Sequence, residues 1–72
     1  MTPTELICKR LKTDDLKKEI IACDIDSLDV LELIFEVEES FDIGIPRTID
    51  EDMRGGMTVG ELIAVIDELR TT

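Results

Sequence analysis

The chain has 72 residues, 43% of them hydrophobic, and its 18 Asp and Glu against 8 Lys and Arg leave a net charge of −10. A chain of this size buries only about 60% of its unfolded surface, so it holds one thin core, yet it is apolar enough to fold. Such a charge repels nucleic acid and anionic membranes and draws basic partners, and the absence of histidine removes the usual base near neutral pH, which argues against an enzyme.

Thr2-Pro3-Thr4-Glu5 has a Thr cap, Pro in the first helical position and Glu three residues after the cap. It predicts a helix to about Leu11 with Leu6, Ile7 and Leu11 turned inward. Residues 13–24 read as a loop with one helical turn, pinned to the core by Leu16, Ile20 and Ile21. A second helix is predicted from Asp26 or Ser27 to Phe41, ended by Asp42-Ile43-Gly44-Ile45-Pro46, whose isoleucines anchor that loop. Thr48-Ile49-Asp50-Glu51 repeats the capping-box spacing before a short helix over Ile49 to Met53, which Gly55-Gly56 closes. Thr58-Val59-Gly60-Glu61 repeats it again before a last helix with Val59, Leu62, Ile63, Ile66 and Leu69 on one face.

No alternating run is long enough for a strand, and no repeat or low-complexity linker divides the chain. The expectation is an all-α, small four-helix bundle of three main helices and one short helix, forming a single domain over residues 1–72. With no apolar segment long enough to span a bilayer and no basic start before an apolar run, it reads as a cytoplasmic monomer. Cys8 and Cys23 read as packed or idle thiols in a reducing compartment, although Cys23 lies only four residues from Ser27.

At about 100° per residue the second helix splits into two apolar groups. Val30, Leu33, Ile34, Val37 and Phe41 form a core face. Leu28, Leu31 and Phe35 lie nearly opposite, among Glu32, Glu36, Glu38, Glu39 and Asp42. Between Asp24 and Pro46 there are eight acids and no Lys or Arg, while five of the eight basic residues precede that stretch. One small bundle has one core to fill, so either the short helix or a loop folds over Leu31 and Phe35, or the second stripe is a docking ridge in an acidic frame for a partner with a basic rim and an apolar cleft.

Ser27 stands where this helix begins. A serine there is by itself most often an N-cap, but unpaired amides and the positive end of the helix dipole also favour an attached anion. Asp26-Ser27-Leu28-Asp29, the acidic helix through Glu38-Glu39-Ser40-Phe41, the Asp42-Ile43-Gly44-Ile45-Pro46 loop and the later Met57-Thr58-Val59-Gly60-Glu61-Leu62 together resemble the acyl carrier protein family in order, spacing and charge. The resemblance implies that a phosphopantetheinyl transferase moves 4'-phosphopantetheine from coenzyme A onto Ser27. It implies that the arm carries acyl intermediates as thioesters between acyl-transferring, condensing or ligase enzymes of fatty-acid, lipid or polyketide biosynthesis. Asp26 and Leu28 would then flank the cofactor, and Asp29, Leu31, Glu32, Phe35 and Glu38 would meet partner enzymes. Asp24, where the family commonly has Gly, a short preceding loop and the bulk of Phe35 point to a discrete, specialised carrier.

Other readings use the same residues. An aminoacyl carrier of the D-alanyl or peptidyl type would share the chemistry, and a non-catalytic acidic helical module would use the ridge with no prosthetic group. Asp24 and Asp26 open like a calcium loop, but Asp29 and Phe35 stand where that loop needs Gly and Glu. Neighbouring acids such as Glu38 and Glu39 point apart on a helix, and no nucleophile–base pair is visible.

Overall fold

The computed structural model describes residues 2–23 and 26–71; Asp24, at the end of the predicted 13–24 loop, lies outside them. Thr2 is extended, its hydroxyl accepts the Glu5 amide at 3.2 Å, and Pro3 opens helix α1 (Pro3–Leu11). A single 3₁₀ turn (Ile20–Ala22) precedes α2 (Ser27–Phe41), and α3 (Ile49–Arg54) and α4 (Val59–Thr71) complete the chain. The bundle of three longer helices and one short one is thus as expected. Its four helices account for the regular structure of the described residues, where Glu19 and Thr58 form one isolated antiparallel bridge.

α1 and α2 both end on a residue in the left-handed region, Lys12 and Asp42, each returning its amide to the carbonyl four residues earlier. α4 opens as its sequence predicts: the Glu61 amide donates to the Thr58 hydroxyl at 3.2 Å and the Thr58 amide to the Glu61 carboxylate at 3.1 Å. The same spacing fails before α3. Thr48 already has helical backbone angles, inside a turn closed by the Ile49 amide on the Pro46 carbonyl. It therefore lacks the extended geometry from which a capping side chain reaches the first turn, and its hydroxyl makes no cap.

The core is one cluster to which every helix contributes: Leu6, Ile7 and Leu11 of α1, Leu33, Ile34 and Val37 of α2, Ile49 and Met53 of α3, and Val59, Leu62, Ile63 and Ile66 of α4. α1 packs on both α2 and α4, and the 3₁₀ turn packs on α3. Val30, Phe41, Ile43 and Ile45 lie half-buried at its margin, so the two loop isoleucines do anchor the 42–46 segment. Of the three residues expected to pin the first loop, Ile20 alone does so. Leu16 and Ile21 are 44% and 56% exposed, because backbone hydrogen bonds rather than those side chains hold the segment, as described below.

Each fully buried leucine or isoleucine contributes roughly 1.5–3 kcal/mol relative to exposure. Leu33→Ala should therefore lower stability in urea denaturation by about 2–5 kcal/mol. Leu31→Ala, two residues away on the exposed side, should change it by less than about 0.5 kcal/mol.

Candidate functional site

The site is built on the first two turns of α2. Asp26, extended at φ −94° and ψ 176°, is the N-cap: its Oδ1 accepts the Asp29 amide at 2.9 Å, and Asp29 Oδ2 accepts the Asp26 amide at 3.5 Å. This reciprocal box, made with Asp at both positions, stops the helix at one defined residue. Because Asp26 takes the capping role, Ser27 is the first helical residue and its exposed side chain is not needed to hold the helix together. Its hydroxyl stands at the positive end of α2, and the two adjacent carboxylates offset part of that field. An anion carried by Ser27 would thus extend toward solvent.

Beyond Ser27 the side chains separate as the helical spacing requires. Leu33, Ile34 and Val37 are buried, whereas Leu28, Leu31 and Phe35 are 63%, 49% and 61% exposed. Neither α3 nor a described loop covers them. These three and the loop residues Leu16 and Ile21 are the large apolar side chains left exposed among the described residues, and Ser27 falls between the two sets in the chain.

The acids of α2 divide by task. Glu32, Glu39 and Asp42 are exposed on the arc of the apolar ridge, and Asp29 is exposed in the first turn, about 100° round the helix from Leu28. Glu36 lies on the flank facing α1, where Arg10 pairs with it. Glu38 is half-buried and accepts the Ile45 amide at 3.1 Å, holding the 42–46 loop against the end of the helix. Of the residues expected to meet a partner, Leu31, Glu32 and Phe35 are therefore exposed on one arc with Leu28, Asp29 is exposed on the flank of the first turn, and Glu38 has an additional structural partner. Periodicity could not reveal the loop bond of Glu38, which spans seven residues.

Neither cysteine adds chemistry to this end of α2. Cys23 is buried and its thiol donates to the Glu19 carbonyl at 3.7 Å. Cys8, half-buried on α1, has its thiol pushed up by burial and, secondarily, by the charge of Asp14, the direction opposite to that of an activated thiolate. Among the described residues no group of three or more His, Cys, Asp or Glu side chains could hold a metal ion, and no helix is long and apolar enough to cross a membrane.

Removing the cap tests how α2 is started. Asp26→Ala should lower stability by about 0.5–2 kcal/mol, and Asp26→Ser should recover most of the loss, both read from thermal or urea unfolding.

No family model matches the chain, and no solved structure matches it. Curated relatives do. The meromycolate extension acyl carrier protein of Mycobacterium tuberculosis (strain ATCC 25618 / H37Rv) is 36% identical over 67 residues, 93% of this chain and 50% of the relative. The protein of that name from Mycolicibacterium smegmatis is also 36% identical, with 58% of its length covered. The acyl carrier protein of Rhodococcus erythropolis is 34% identical, with 63% covered. The chain spans between half and two thirds of the length of these relatives. Similarity to acyl carrier proteins thus runs through nearly all of the chain's own length.

Proposed function

We propose that this chain is an acyl carrier whose Ser27 receives 4'-phosphopantetheine and whose exposed α2 ridge is the surface that partner enzymes grip. The observation that carries the reading is the conjunction at one end of α2: an exposed serine hydroxyl freed from capping by Asp26, next to an unburied apolar ridge in an acidic frame. The family relatives are carrier proteins by name, which agrees with a chain that works as a substrate of other enzymes.

The residues fit the group. Ser27 offers a nucleophilic oxygen open to solvent, and a phosphodiester there would lie beyond the first-turn amides with room to extend. When bound, the arm supplies a terminal thiol that holds the cargo as a thioester. The chain's own residues do the rest. Asp26 and Asp29 fix where the helix starts and hence where the hydroxyl points. Leu28, Leu31 and Phe35 give a partner apolar area to cover. Asp29, Glu32, Glu39 and Asp42 draw in and orient a basic rim. The name of the mycobacterial relatives places them in meromycolate extension, and by that kinship the cargo proposed here is an acyl intermediate of lipid biosynthesis, handled in the cytoplasm.

Intact mass after incubation with coenzyme A and a broad-specificity phosphopantetheinyl transferase should show the gain of a single arm, mapped to Ser27 by peptide sequencing and absent in Ser27→Ala. No gain in the folded wild-type chain, or a gain elsewhere, would contradict the proposal. The acidic frame has its own test. Because exposed charges are screened over about 8–10 Å at physiological salt, KM for loading should rise with ionic strength. Glu32→Lys with Glu39→Lys should raise it severalfold at low salt while leaving the unfolding midpoint nearly unchanged.

A further inference from the structure

The first-turn amides of a helix have no partner within it. In α4 two of them are satisfied by the distant first loop: Gly60 N–H donates to the Leu16 carbonyl at 2.8 Å and Val59 N–H to the Lys18 carbonyl at 2.9 Å. The loop answers with Ile20 N–H on the Met57 carbonyl at 2.9 Å, and Glu19 faces Thr58 in the isolated bridge. The side chains of Leu16, Lys17, Lys18 and Glu19 are all exposed. Up to the point where Ile20 enters the core, these backbone bonds therefore hold the segment.

Gly60 permits that approach. A Cβ on it would meet the Leu16 carbonyl oxygen at 3.0 Å and the Leu16 Cβ at 3.4 Å. The backbone there does not require glycine by its φ, and glycine is a poor residue inside a helix. The close contact explains it. From this clasp the chain enters the 3₁₀ turn, closed by the Ala22 amide on Glu19 and the Cys23 amide on Ile20, each at 3.0 Å. Buried Cys23 then anchors the chain four residues before Ser27.

We infer that Gly60 is a positioning residue for loading of Ser27: by admitting the Leu16 carbonyl to the start of α4, it ties down the segment from which the chain reaches α2. This rests on the reading of Ser27 given above. The clasp sets the approach to the serine without touching it, so loosening it changes how well a transferase finds Ser27 more than how fast the bound hydroxyl reacts.

Gly60→Ala separates this from ordinary helix behaviour, since alanine alone would strengthen α4. The prediction is about tenfold faster hydrogen exchange at the amides of Ile20, Val59 and residue 60, the loss of a hydrogen bond of ordinary strength. KM for loading should rise severalfold with kcat retained and the helical circular dichroism unchanged. Exchange as slow as in the wild type would overturn the clasp, and faster exchange with an unchanged KM would overturn its positioning role. Should the variant not fold, wild-type exchange decides: amides of Ile20, Val59 and Gly60 that are not protected together mean there is no clasp. These exchange readings hold even if Ser27 accepts no group, an outcome that would sink the carrier reading instead.

Discussion

A chain this short has one core, and that core can receive one face of each helix. α2 has apolar residues on two. Burying Leu33, Ile34 and Val37 in the core shared with α1, α3 and α4 turns Leu28, Leu31 and Phe35 the other way, since about 100° separates successive residues. Exposing three large apolar groups is unfavourable for an isolated bundle and invites a partner to cover them. The acids beside them help to keep the ridge solvated.

The start of α2 follows the same economy of roles. Two carboxylates close the capping box, so the serine between them is not the cap, which suits the role proposed for it. Arg10 on Glu36 and the Ile45 amide on Glu38 absorb two further acids of the helix into the fold. What is left exposed is a narrower acidic set than the raw charge suggests.

Much of this was legible from periodicity and capping alone. Thr2 and Thr58 sit before real helix starts, the inward faces of α1, α2 and α4 are the ones their spacing dictates, and the two-faced character of α2 is visible in Leu28, Leu31 and Phe35. The failures have two causes, one in contacts that lie far apart in the chain and one in a local turn. Leu16 and Ile21 look like anchors because they are apolar, but backbone bonds to Val59, Gly60 and Met57 fix that loop, and no side-chain pattern records them. Thr48 has the spacing of a cap, yet the turn at Pro46 and Arg47 sets its backbone first. The family resemblance added the carrier role proposed for Ser27, which spacing alone left as a helix-start serine.

On the proposed function, the end of α2 bearing Ser27 and the ridge running from it form one surface on which a modifying enzyme closes. Backbone amide NMR during titration with a phosphopantetheinyl transferase, before any group is transferred, tests it directly. The largest shift changes and line broadening should fall on Ser27, Leu28, Leu31, Glu32 and Phe35, with the outer faces of α1 and α4 little affected. Perturbations centred on α1 or α4, with the α2 ridge silent, would contradict it.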